Sequence, residues 1–301
     1  MLMLWDWHPD IEEFITVKQD LTRINGANLS VNVSDKFMEA VEKNSDWPLV
    51  FPDTNDPEYD EKWNGDLEVW KKMGKKVIVK KVVKARKIWD LITDAAWRSA
   101  EPGVVFMERY NKLHNNYYWN RINCVNPCGE EGLPDWGVCN LGSVNLSAFV
   151  KSSDIDEPGK FDFEQLIKVV NVATRFQDNV IDMDPYVFDG IRQTQLNGER
   201  RIGLGTMGLG DALIKLHLRY GSDKALDFID KVYKMIRDEV YKASVEIAKE
   251  KGYFPKFDKV KYPKGKFIRT LPKALQSDIK KYGIRNSVLL MQAPTGSTSL
   301  M

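Results

Sequence analysis

Asn126, Cys128 and Glu130 alternate along NPCGE, residues 126–130. On an extended or looped backbone, positions i, i+2 and i+4 project to one side, so an amide, a thiol and a carboxylate can converge on one small substrate. The amide would orient the substrate, the sulfur would react and the carboxylate would move a proton. Pro127 and Gly129, interleaved with them, suit a tight loop rather than a helix or a regular strand. The chain has three cysteines, Cys124, Cys128 and Cys139, all within this neighbourhood.

Their spacing narrows the chemistry. C-x3-C-x10-C is not the paired CxxC of a zinc site, and the three histidines, His8, His114 and His217, lie too far away in sequence to complete one, so no metal site is expected. A cysteine protease would need a base, and His114 could serve only by coincidence of folding. Cys124, flanked by Ile122 and Val125, reads as a core residue. An odd, small number of thiols is no disulfide framework and fits a reducing compartment. Forty-four basic against 43 acidic residues give no electrostatic case for nucleic acid or an anionic membrane. The N-terminal MLMLWDWHPD lacks the pattern of a signal peptide and no run of apolar residues is long enough to span a bilayer, so the cytoplasm is the expected location.

The elements that must position these groups are mixed α/β. Phe163–Met183 carries Leu166, Val169, Val170, Ala173, Phe176 and Val180 at helical spacing. A second helix is expected over 224–251, with Leu226, Ile229, Tyr233, Ile236, Val240 and Ile247 as its stripe and Gly252 as its stop. A third covers 87–99. Strand-length apolar runs at 77–83, 104–107, 144–150 and 287–291 alternate with these helices, which favours a largely parallel sheet, open or closed into a barrel. Without repeats or a Pro/Gly/Ser linker, the chain reads as one continuous domain over 1–301.

Two further motifs compete for function. GLGTMGLG at 203–210 satisfies GxGxxG, but the polar, turn-like QLNGERR before it and the helical setting of Asp223 and Asp227 after it do not fit a dinucleotide fingerprint. Close glycine packing is the plainer reading. PTGSTS at 294–299 could offer backbone N–H groups and hydroxyls to a phosphate, or be an ordinary turn.

Taken in order, NPCGE, CNLGSVNL, TRFQDNVIDMDPY, RRIGLGTMGLGDAL and APTGSTSL resemble the catalytic subunit of ribonucleotide reductase, most closely its adenosylcobalamin-dependent class, from end to end of the chain. The resemblance implies a ten-stranded α/β barrel with a central finger loop, within 123–146, carrying the radical cysteine. Cys128 would become the thiyl radical that abstracts the 3′ hydrogen of a ribonucleotide. Glu130 would take the 3′ hydroxyl proton and Asn126 would hydrogen-bond the ribose, with Pro127 and Gly129 beside it. Cys139 matches one of two cysteines that reduce the 2′ position. Pro294, Thr295, Gly296, Ser297, Thr298 and Ser299 map onto the phosphate loop. Residues 21–31, with Arg23, Asn25, Gly26 and Asn28, resemble the specificity loop between substrate and allosteric site. The implied product is a deoxyribonucleotide for DNA synthesis and repair. Implied partners are deoxynucleotide or ATP effectors, a thioredoxin-type dithiol reductant and a second copy in a homodimer. The implied cofactor is adenosylcobalamin, with an external radical-generating subunit as the alternative.

The match has gaps. The family's other reducing cysteine lies in a segment with no counterpart here, and Cys124 does not match it. Early barrel strands, most of the effector region and the tail cysteines are also without counterparts. The chain is therefore expected to be a fragment, or to be completed by other polypeptides, and to be inactive alone. A nicotinamide-dependent oxidoreductase built on GLGTMGLG and a non-catalytic assembly part remain as alternatives.

Overall fold

The computed structural model describes residues 1–20, 22–138 and 140–300. The continuous run read from the sequence divides into two compact units, Met1–Tyr110 and Asn111–Met301. No linker composition marks the boundary because it falls inside a short helix, Met107–Leu113. Among the described residues the strands form one three-stranded and four two-stranded sheets, none closed into a barrel. No helix among them is long and apolar enough to cross a membrane.

In the first unit Leu2–Trp5, Leu29–Asn32 and Gly103–Val105 form a parallel sheet with Leu29–Asn32 in the middle. That central strand is buried at all four positions. Parallel pairing requires crossovers, and helices Ile11–Thr16, Asp35–Lys43 and Ala85–Ser99 lie in the connections. Ile11, Ile15, Phe37, Val41, Ile88 and Ile92 belong to the core cluster that also holds Val31. Ser34 caps the second helix by accepting from the Phe37 N–H at 3.1 Å. The expected run at 77–83 is strand Val77–Lys84, paired antiparallel with Asp46–Pro52. The run at 104–107 is a strand only as far as Val105, and Met107 already opens a helix.

The second unit is built around a parallel pair, Leu141–Asn145 and Gly203–Met207. The run expected at 144–150 stops at Asn145, whose side-chain oxygen accepts from the Ser147 N–H at 3.1 Å and turns the chain into a 3-10 helix, Leu146–Phe149. The 287–291 run lies beside Gly203–Met207, with a parallel bridge at Leu204 and Leu290 and the Met291 N–H donating to Leu204 O at 3.2 Å. It forms no regular strand.

Two long helices cover this pair with the bounds their periodicity predicts. Phe163–Met183 is capped by Asp162, and Asp223–Lys251 by Ser222 and stopped by Gly252 at φ 82°. Their buried faces are rotated from the expected stripes. Phe176, Val180 and Leu226 are exposed, while Thr174, Gln177, Asp178 and Ala225 are buried. On the first helix the polar residues are buried because each has a partner. Thr174 Oγ1 donates to Val170 O, Gln177 Nε2 to Asn140 O, and Asp178 accepts from Arg200 and Arg285.

Candidate active site

Cys124–Val125 and Gly132–Leu133 pair antiparallel, Cys124 opposite Leu133, and present residues 126–131 as their loop. Asn126 closes that loop from both ends. Its carbonyl accepts from Gly129 N at 2.9 Å, its N–H donates to Glu131 O at 3.2 Å, and its Oδ1 accepts from Glu131 N at 3.0 Å. Gly129 sits at φ +82° with nothing within 4 Å of where a Cβ would be, so backbone conformation rather than crowding calls for glycine.

The turn breaks the simple alternation expected from sequence. Cys128 is exposed, whereas Glu130 is partly buried, with Oε2 fully enclosed and without a hydrogen-bond partner. Glu130 lines a cavity of about 410 Å³ together with Leu204, Gly205, Thr206, Tyr233, Ile236, Leu290, Met291 and Gln292. Asn126 and Cys128 are not part of that lining. Cys124 is exposed, contrary to the core reading. It occupies a two-residue strand at the base of the loop, and its Sγ meets Leu133 O at 3.8 Å. Cys139 lies outside the described residues, as does Leu21.

A buried polar network stands behind the loop. Arg201, 3% exposed, donates from Nη1 to Gly132 O at 2.9 Å and from Nε to Glu199 Oε1 at 2.8 Å, with Glu131 Oε1 at 3.9 Å. Glu199 also accepts from Asn116 and Asn120. Burial would raise the Glu199 carboxyl, but Arg201 beside it and the hydrogen bonds it receives hold it below the usual range. His114 is pushed down to about 4, first by burial and then by Arg201. Its Nε2 meets Asn120 Oδ1 at 2.8 Å, not a thiol, which leaves the protease reading without its base.

The glycine-rich motif is a packing device. Gly203 and Gly205 lie within the buried strand Gly203–Met207, and a Cβ on Gly205 would stand 2.1 Å from Met291 O. Gly208, at φ +70°, is closed off by Asn145 Oδ1 at 2.2 Å from its own would-be Cβ. These glycines therefore bring the strand and its neighbouring segments together. The partner at Gly203 and Gly205 is the 287–291 run, through Met291.

Residues 294–299 follow directly on the cavity wall at Leu290–Gln292 as an exposed turn. Ser299 N donates to Thr295 O at 2.9 Å and Ser299 Oγ to Gly296 O at 2.9 Å. Of the specificity-loop residues, Arg23 pairs with Glu13 at 2.7 Å and Asn28 donates to Glu101 at 2.9 Å, while Asn25 and Gly26 are exposed.

A family model described as ribonucleotide reductase, barrel domain, matches residues 1–301. The chain belongs to that family.

Among its relatives, a vitamin B12-dependent ribonucleoside-diphosphate reductase from Thermoplasma acidophilum is 36% identical over 298 residues, covering 98% of this chain and 33% of the relative. One of the same description from Mycobacterium tuberculosis is 32% identical over 295 residues, covering 98% and 35%. A ribonucleoside-diphosphate reductase large chain from Neurospora crassa is 30% identical over 319 residues, covering 99% and 34%. The chain thus spans about a third of the length of these relatives.

Sequence reasoning missed Thr206 and Gln292 of the cavity wall, and counted Tyr233 only as part of an apolar stripe. The available signal was hydroxyl and amide chemistry at positions where a wholly apolar wall would serve packing equally well.

Proposed function

We propose that this barrel-domain chain carries the reaction centre of a ribonucleotide reductase, converting ribonucleoside diphosphates to deoxyribonucleotides. The observation that carries the reading is the Glu130 carboxylate. One of its oxygens is buried and unpartnered, and the residue lines a cavity from the same loop as Asn126 and Cys128. A buried acceptor left without a donor costs on the order of 1–3 kcal/mol, which favours a ligand hydroxyl as its partner.

In this reading the loop is the family's finger loop within a ten-stranded barrel completed by further chain. Cys128 as a thiyl radical takes the 3′ hydrogen, and Glu130 accepts the 3′ hydroxyl proton. The 2′ hydroxyl then leaves as water, with two electrons and two protons supplied by a dithiol that ends as a disulfide. Cys139 is one of those thiols. Cys128 returns the hydrogen to the 3′ carbon, so the radical is regenerated. Asn126 holds the loop that carries both thiol and carboxylate by its own backbone and amide bonds. Residues 294–299 would take the phosphates, 21–31 would answer deoxynucleotide or ATP effectors, and a thioredoxin-type protein would restore the dithiol in a homodimer.

The names of the Thermoplasma and Mycobacterium relatives support adenosylcobalamin as the radical source. When bound, such a group supplies the first radical. A corrin macrocycle with its nucleotide tail far exceeds the 410 Å³ cavity, so that cavity does not hold it. An external radical-generating subunit is the other source compatible with an exposed Cys128.

The test is reconstitution. The chain is combined with polypeptides encoded beside it, adenosylcobalamin, a dithiol and cytidine diphosphate, and deoxycytidine diphosphate is measured. Product that depends on this chain supports the proposal; none from any combination refutes it.

A further inference from the structure

The polar end of the cavity has a proton arrangement that its geometry fixes. Gln292 Nε2 donates to the Thr206 carbonyl at 2.7 Å, and because a carbonyl can only accept, the amide orientation is set. Gln292 Oε1 is then the atom that faces Thr206 Oγ1 at 3.1 Å, and Thr206 spends its single hydroxyl proton there. In the 2.6 Å contact between Thr206 Oγ1 and Tyr233 Oη, Tyr233 must therefore be the donor. Its only proton is used, so Tyr233 meets the cavity with lone pairs alone.

We infer that Tyr233 binds a hydrogen-bond donor of the ribonucleotide, a ribose hydroxyl or a base amino group, as an acceptor set by Thr206 and Gln292. The inference rests on the reading of the cavity as a ribonucleotide site. Glu130 stands on the same wall, and Leu204, Ile236, Leu290 and Met291 are apolar. The side chains of this lining therefore offer mainly lone pairs and hydrocarbon. They repel a phosphate and select the uncharged, donor-bearing part of the ligand.

Equilibrium binding to the reconstituted assembly, with wild-type or Tyr233→Phe chain, tests this with cytidine, uridine, 2′-deoxycytidine and 3′-deoxycytidine diphosphates as probes. Tyr233→Phe removes one oxygen and should weaken cytidine diphosphate by about three- to tenfold, with a melting temperature lower by no more than a few degrees from the lost bond to Thr206. One probe should escape that penalty: the 2′- or 3′-deoxy compound if Tyr233 accepts from that hydroxyl, uridine diphosphate if it accepts from the base amino group. Equal affinities of the two proteins, or the same penalty on all four probes, would overturn the assignment while leaving the proposed function standing. A reconstituted wild-type assembly that binds none of the four would overturn both.

Discussion

Gly205→Ala perturbs the central wall of the site by a single methyl group. The added Cβ would lie 2.1 Å from Met291 O, 3.2 Å from Met291 C and 3.5 Å from Gln292 Cα. All three are backbone atoms, so no rotamer change relieves the contact. Real Cβ atoms essentially never approach closer than 3.0 Å, and the 287–292 segment must retreat by roughly 1 Å. That movement lengthens the Leu204 N to Leu289 O and Met291 N to Leu204 O bonds, now 2.9 and 3.2 Å, and displaces the Leu290–Gln292 side of the cavity. Overpacking with backbone displacement costs about 1–3 kcal/mol, which should appear as a melting temperature lower by several degrees and weaker binding of cytidine diphosphate. Gly210→Ala is the control. It lies in the same motif, on helix Leu209–Lys215, with nothing within 4 Å, and should be neutral or stabilising by about 0.5–1 kcal/mol. Scanning calorimetry of both variants decides the matter. A Gly205→Ala protein that melts with the wild type would refute the claim that this glycine sets the spacing of strand and chain.

Asp178 accepts from Arg200 Nη2 at 2.8 Å, Asn286 Nδ2 at 2.9 Å and Arg285 Nε at 3.2 Å with no exposure to solvent, so Asp178→Asn should cost about 3–5 kcal/mol in urea unfolding; a loss under 1 kcal/mol would contradict the burial argument. The two units should respond oppositely to acid. Burial raises Asp6 from 3.8 to about 7, so the folded first unit binds more protons between these values and loses stability as pH rises from about 4 to 7. His114, lowered from 6.5 to about 4, makes the folded second unit bind fewer protons, so its stability is full above about 6.5 and falls as pH drops toward 4. Each slope approaches about 1.4 kcal/mol per pH unit and should flatten in Asp6→Asn and His114→Gln respectively, as read by hydrogen exchange within each unit. Slopes of the same sign in both units would be incompatible with this assignment.

Much of this architecture is written in local sequence. The ends of Phe163–Met183 and Asp223–Lys251 follow from Asp162, Ser222 and Gly252, because caps and stops act within one turn. Which face is buried does not follow, since Gln177 and Asp178 are buried by partners 22 to 108 positions away, and Phe176 is left outside. The loop at 126–130 was legible from Pro127 and Gly129, but its one-sided convergence was not. Asn126 spends its amide oxygen on the loop, and the turn at Gly129 separates the settings of Cys128 and Glu130. Cys124 looked like core beside Ile122 and Val125, yet strand alternation buries Val125 and turns Cys124 outward. The Thr206, Tyr233 and Gln292 chain joins three separate segments, which no local pattern could bring together.

The central claim is that Cys128 exchanges hydrogen with the 3′ carbon of the ribose. It is tested most directly with cytidine diphosphate tritiated at the 3′ position, given to the reconstituted reductase with wild-type chain or Cys128→Ser. The account predicts deoxycytidine diphosphate and a small release of tritium to solvent with the wild type. It predicts neither with Cys128→Ser, although nucleotide affinity and melting temperature are unchanged. Deoxycytidine diphosphate formed at an undiminished rate by Cys128→Ser would contradict it.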